Sequence, residues 1–140
     1  MKVHLNFVNN LHFKAQTRHF TDIEMDEPES FHGTDQGPSS IEYLLIGVGG
    51  CLGSSFVFCL QKNNVEIENL NMVVEGTLKH VMPKMHLRLI KIECEIIVSA
   101  KSEFNHLIDT CVKEFKEHCV INESITKGIP LKTKIHKKEK

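Results

Sequence analysis

Two cysteines in unlike settings are the residues best suited to chemistry in this chain. Cys51 follows Gly47-Val48-Gly49-Gly50 and precedes Leu52-Gly53-Ser54-Ser55-Phe56. Neighbours with little or no side chain let a substrate, a backbone or a second thiol come close to its sulfur. Cys119 lies far downstream, in His118-Cys119-Val120-Ile121-Asn122-Glu123. Two separated thiols of this kind suit redox chemistry, in which a sulfenic acid on one sulfur condenses with the other to a disulfide. Periodicity places Cys51 about three turns inside a helix, too far from its N-terminus for the dipole to lower the thiol pKa much. Cys119 precedes the expected capping residue Asn122, where backbone N–H groups are free to bond. Local electrostatics therefore make Cys119 the better thiolate, and it can equally be the resolving partner of Cys51.

Charged candidates accompany the thiols. Glu42 falls in the first turn of the Cys51 helix, where a carboxylate is favourable; alternatively it orients an arginine or handles a proton near the thiol. Nine residues put Glu42 and Cys51 on opposite faces of that helix, so direct cooperation needs another residue between them. Arg18 and Arg88 are the only arginines, and a guanidinium can clamp a carboxylate and polarise a thiol or peroxide. Arg18, at the end of the second expected strand, is the stronger candidate. The remaining cysteines, Cys59, Cys94 and Cys111, read as buried thiols. Cys59 is about 12 Å along the helix from Cys51, out of bonding range. The histidines are dispersed and form no HExxH, no cysteine pair has CxxC spacing, and the glycine run lacks the lysine of a phosphate loop. Neither a metal site nor a bound cofactor is expected.

Length and composition bound the answer. The chain has 140 residues, 41% hydrophobic and 25% charged, with net charge −1 from 17 basic and 18 acidic side chains. This suits one soluble domain spanning residues 1–140 and argues against bulk electrostatic binding of nucleic acid. The basic stretch Lys132 to Lys140 reads as a solvated tail. Glycines, serines and Cys59 interrupt the longest apolar segment, Tyr43 to Leu60, so no membrane span is expected. With no signal peptide visible, the expected location is cytoplasmic.

The elements that must position the thiols follow from hydrophobic period. Alternation predicts strands over Val3 to Val8, Leu11 to Thr17 and Phe20 to Met25, then a long loop from Asp26 to Ser40. Ser39 or Ser40 caps a helix from Ile41 to about Lys62, apolar nearly all round and therefore central. Strands follow within Val65 to Lys79 and over Leu87 to Val98, the latter with Arg88, Ile90, Ile92, Cys94, Ile96 and Val98 as its core face. A helix over Ser102 to Glu117 buries Phe104, Leu107, Ile108, Cys111, Val112 and Phe115. A short helix capped by Asn122 ends at Gly128, and Leu131 to Ile135 reads as a last strand. The order is that of an α+β fold.

Two segments carry a family likeness. Gly37-Pro38-Ser39-Ser40-Ile41-Glu42-Tyr43-Leu44-Leu45-Ile46-Gly47-Val48-Gly49-Gly50-Cys51 resembles the Gly-Pro-Ser/Asn, Glu, Leu-Leu and Gly-Gly-Cys signature of the OsmC/Ohr family. Cys119-Val120-Ile121-Asn122-Glu123-Ser124-Ile125 resembles the segment around its second cysteine, with Val120 in place of Pro and Asn122 in place of Ser. The resemblance implies an α+β, OsmC-like intertwined homodimer, its antiparallel sheets wrapped around long central Cys-bearing helices. It implies a thiol-dependent peroxidase in which Cys51 attacks an organic hydroperoxide, or hydrogen peroxide, and Cys119 resolves the sulfenic acid as a Cys51–Cys119 disulfide. It further implies an arginine–glutamate pair beside the thiol, with Glu42 at the family's glutamate and Arg18 the candidate arginine, and a dithiol reductant of the lipoyl type. The alternative is a small-molecule binding or stress-response module that keeps the fold without catalysis.

Overall fold

Three hydrophobically alternating segments form a meander because tight turns separate them. The computed structural model describes residues 1–137, so residues 138–140 of the expected basic tail lie outside the described residues. Strands β1 (His4–Asn9), β2 (His12–Thr17) and β3 (Phe20–Met25) form one antiparallel sheet in that order. Asn10 and Arg18 turn the chain with φ of 43° and 52°, a region that Asn tolerates better than most residues. Leu5 faces Ala15 and Phe7 faces Phe13, whose rings meet edge to face at 5.8 Å. Helix α1 (Ser40–Lys62) follows, then β4 (Ile67–Val81) and β5 (His86–Ala100) as a two-stranded sheet. Their short connection allows only antiparallel pairing. Helices α2 (Asn105–Glu114) and α3 (Val120–Lys127) end the order, separated by a 3₁₀ turn at Phe115–His118. The fold is thus α+β, with antiparallel sheets and one long helix.

The chain divides into two compact units: Met1–Gly49 with Met72–Glu95, and Gly50–Asn71 with the described residues from Ile96 onward. In the first unit α1 lies against the β4–β5 hairpin at points where any side chain would crowd a neighbour. A Cβ on Gly49 would sit 2.8 Å from Val74 Cγ2, and one on Gly76 would sit 2.9 Å from Leu89 Cδ1 and 3.2 Å from Leu45 Cδ1. Gly49 costs α1 helix propensity and Gly76 weakens its strand, and both return close packing. The loop before α1 winds around Asp26, 1% exposed. Its carboxylate accepts from the Thr34 hydroxyl at 2.6 Å and from the N–H groups of Glu27, Thr34 and Gln36 at 2.8, 3.0 and 3.2 Å. This long segment is therefore ordered by one buried carboxylate, with a 3₁₀ turn at Glu29–Phe31.

The second unit has its own apolar centre. Leu52, Phe56 and Leu60 recur along α1 and are buried with Val65, Cys111 and Phe115; the rings of Phe56 and Phe115 lie 5.1 Å apart. By length and composition α1 is apolar enough to cross a membrane, with mean hydropathy 1.9 over its best window. Its interruptions therefore exclude less than the sequence reading expects; the Leu52, Phe56 and Leu60 stripe gives the helix a core to cover.

Three expectations need correction. Leu131 to Ile135 is not a strand: residues 128–137 have no regular structure, and Leu131 and Ile135 are exposed, since alternation alone does not hold a strand without a sheet edge to pair with. The shielded face of β5 includes Ile92, Cys94, Ile96 and Val98, but towards its start it is Leu87 and Leu89, not Arg88 and Ile90, that are shielded. The alternation changes phase at Ile90 and Lys91, which a strict period of two misses. The helix expected over Ser102 to Glu117 is α only from Asn105 to Glu114, with a 3₁₀ turn at each end.

Two outcomes follow. Leu60→Ala, at a fully buried position, should cost about 2–5 kcal/mol in denaturant titrations, from lost transfer energy and the cavity left behind. The Thr34 hydroxyl bond, with the Gln36, Thr34 and Glu27 N–H groups, outweighs burial and holds the Asp26 carboxyl below its ordinary 3.8. A lowered folded-state pKa contributes stability that is complete above the ordinary value and is lost as pH falls through the folded one. Hydrogen exchange should show the Thr34 and Gln36 amides losing protection below about pH 4 in the wild type. In Asp26→Asn they should be weakly protected at all pH.

Candidate functional site

A thiol in mid-helix has no free backbone donors of its own, because the N–H groups around it are bonded within the helix. Cys51 stands in this position on α1, and its donors come from another element of the second unit. The first turn of α3 offers the N–H groups of Val120 and Ile121, which favour the charged form of the Cys51 sulfur. Ser55, four residues on and hence on the same helix face, adds its hydroxyl. Cys119 Sγ donates to Cys51 Sγ at 3.1 Å, and neither sulfur is in a disulfide.

These contacts separate the two thiols chemically. Burial pushes the Cys51 thiol up, but the Ile121 N–H, the Cys119 thiol, the Val120 N–H and the Ser55 hydroxyl together bring it below its ordinary 9.0. Cys119 is 99% buried, the N-cap of α3, and its sulfur also accepts from the Asn122 N–H at 3.5 Å. Burial and the proton it shares towards Cys51 raise its pKa. The expectation that Cys119 is the better thiolate is thereby corrected. The free N–H groups at the start of α3 do matter, and they are divided between the two sulfurs: Val120 and Ile121 favour the charged form of Cys51, Asn122 and Ile121 that of Cys119. The cap of α3 is likewise Cys119 rather than Asn122.

Glu42 and Arg18 lie in the first unit. Ser39 N–H and Oγ–H donate to Glu42 Oε2 at 2.7 and 2.8 Å, and Glu42 N–H donates to Ser39 Oγ at 3.3 Å. This reciprocal arrangement is a capping box at the start of α1. The Ser39 N–H and hydroxyl hold the Glu42 carboxyl below its ordinary 4.5, against a smaller effect of burial. Arg18 is exposed at the β2–β3 turn, its guanidinium carbon 5.1 Å from the centroid of the Phe20 ring. Arg88 is also exposed, bonded to Leu87 O and His86 Nδ1.

Two further cysteines in the second unit are not the simple thiols expected. Cys59 and Cys111 form a disulfide, with Cα atoms 5.7 Å apart. Cys111 is fully buried, as its place on the α2 stripe suggests, but it is bonded. A cavity of about 610 Å³ opens beside this bond, lined by Ser54, Ser55, Phe58, Cys59, Lys62 and His118 among others. Among the described residues, no group of three or more His, Cys, Asp or Glu is placed to hold a metal ion. Ser55 could have been found from its i+4 spacing to Cys51. The Cys59–Cys111 pairing had no local signal, only the equal spacing of eight residues within each cysteine couple.

A family model described as OsmC-like protein matches residues 33–134. No curated protein sequence matches the chain. Among solved structures, a Legionella pneumophila protein described as an organic hydroperoxide resistance protein OsmC superposes with a TM-score of 0.67 at 14% identity, covering 89% of this chain and 87% of that one. An OsmC-like protein from Mycoplasma pneumoniae gives 0.67 at 17% identity, with 89% and 86% covered. The organic hydroperoxide resistance protein OhrB of Bacillus subtilis gives 0.57 at 16%, with 87% of each chain covered. At these identities the structural likeness is one of fold.

The geometry sets an order of ionisation. Iodoacetamide alkylation followed against pH should give a midpoint below 9.0 for Cys51 and above 9.0 for Cys119, resolved by peptide mass. Equal midpoints would mean that the α3 donors do not act on Cys51.

Proposed function

The chain belongs to the OsmC-like protein family, and from that premise we propose that it is a thiol-dependent peroxidase acting on organic hydroperoxides, built as one domain over residues 1–140. The observation that carries this reading is the Cys51–Cys119 contact at 3.1 Å, with the donors arranged to favour a thiolate on Cys51. The hydroperoxide-resistance descriptions of two structural neighbours point to the same substrate class.

In the proposed cycle the Cys51 thiolate attacks the terminal peroxide oxygen. An S–O bond forms, the O–O bond breaks, and the alkoxide leaves and is protonated to the alcohol. Cys119 then attacks the sulfenic sulfur; the disulfide forms and the hydroxide leaves as water with the proton from Cys119. An external dithiol of the lipoyl type returns two electrons and two protons, and leaves as its own disulfide. Cys51 is the nucleophile and Cys119 the resolving residue. Glu42 and Arg18 are proposed as the carboxylate and the guanidinium of the catalytic ion pair, and the Ser39 bonds keep Glu42 ionised.

A homodimer completes the proposal. Leu44, Ile46 and Phe58 of α1 are 44%, 59% and 67% exposed, an apolar load that a second copy would cover. The cytoplasm, where a dithiol pool is maintained, is the proposed location. The second reading, a binding module of the same fold, draws on Arg18, whose guanidinium is engaged with Phe20.

One equivalent of cumene hydroperoxide added to protein with both thiols reduced should produce the Cys51–Cys119 disulfide, read by intact mass and peptide mapping. Cys119→Ser should stop at the Cys51 sulfenic acid, and Cys51→Ser should lose peroxide consumption by at least about 100-fold. Persistence of both thiols in folded wild-type protein would favour the binding module.

A further inference from the structure

The Cys59–Cys111 disulfide has no part in the proposed cycle, yet it is built into the same pair of segments. Cys51, Phe56 and Cys59 succeed one another along α1, and their partners Cys119, Phe115 and Cys111 run in reverse order. The two segments are therefore antiparallel neighbours in one register. Eight residues separate the two cysteines on each side, so the disulfide stands about 12 Å along α1 from the thiol pair. That is too far for direct exchange between the two couples. Asn63 ties the same end, donating from Nδ2 to Cys59 O at 2.9 Å and approaching Cys111 Sγ at 3.6 Å.

The thiol end is held without a covalent link. Cys119 lies outside any helix interior, after a 3₁₀ turn and with extended φ and ψ of −81° and 108°. Its position on Cys51 depends on how the preceding helix is seated. We propose that Cys59–Cys111 is a positioning brace: the disulfide locks the register of the antiparallel segments and so holds Cys119 within attacking distance of Cys51. The brace closes from two thiols by exchange with an external disulfide, which takes two electrons and two protons and leaves as the dithiol. The brace rests on the peroxidase reading only for its biological purpose, since the approach of the two thiols can be measured without a peroxide.

The test follows closure of the Cys51–Cys119 bond by rapid quench and peptide mapping. Diamide serves as a peroxide-independent oxidant and cumene hydroperoxide as the substrate-class oxidant. The starting protein is wild type with the brace closed and both site thiols free, compared with Cys59→Ser and Cys111→Ala. With diamide, loss of the brace should slow closure by about tenfold or more, as expected when a reacting pair is misplaced by an ångström or so. With hydroperoxide, the first oxidation of Cys51 should stay within about twofold, while closure slows and Cys51 sulfinic acid accumulates. A merely structural role would lower the melting temperature without moving this partition.

If both variants fail to fold, fully reduced wild-type protein supplies the open state with no substitution. Diamide should then close Cys59–Cys111 before Cys51–Cys119. Unchanged closure in a folded variant, or closure of Cys51–Cys119 first in the reduced wild type, overturns the brace. No reaction with hydroperoxide, but brace-dependent closure with diamide, overturns the peroxidase reading alone.

Discussion

The chemistry of this protein depends on a backbone constraint: a residue in mid-helix has neighbours whose N–H groups are already used. A thiol there finds backbone donors for its anion only from elsewhere. In the second unit the start of α3 supplies them, because the first N–H groups of any helix lack intrahelical partners. Cys119 sits at the cap of that helix and brings its own S–H to Cys51 at 3.1 Å. One short helix start thus serves both sulfurs, while burial and the shared proton raise Cys119 against Cys51.

The same contact accounts for the divergence of two chemically identical side chains. Both thiols lose hydration, which opposes ionisation. Cys51 offsets that loss with four donors, whereas Cys119 gives its proton to the shared contact and is held neutral by the neighbouring sulfur. A pair in which one thiol ionises and the other carries the proton is ready for attack on an electrophile followed by internal displacement.

In the first unit the physics is that of fit and capping. Gly49 and Gly76 remove side chains where α1 meets β4 and β5. Their conformational cost is offset by van der Waals contact that a methyl group would block. Asp26 gathers three backbone N–H groups and one hydroxyl, so a segment without sheet or α-helix still has its polar groups satisfied. It delivers the chain to Ser39 and Glu42, whose reciprocal hydrogen bonds start α1 at a defined residue.

Much of this was legible in the amino-acid sequence. Alternation located β1, β2 and β3 within a residue or so; the Ser39 cap and the apolar recurrence located α1; Gly128 marked the end of α3. These are local properties, set by the periods of helix and strand and by the conformational preferences of single residues. The two cysteines also stood out locally, through small neighbours and a nearby helix start. What local reading could not supply was pairing. How the α3 N–H groups divide between Cys119 and Cys51, whether Cys59 meets Cys111, and whether Leu131 to Ile135 finds a sheet edge all depend on contacts between residues far apart in the chain. Sequence spacing measures distance only within one element; between elements, packing decides. The equal spacing of Cys51 to Cys59 and Cys111 to Cys119 acquires meaning only once the tertiary structure sets those segments antiparallel.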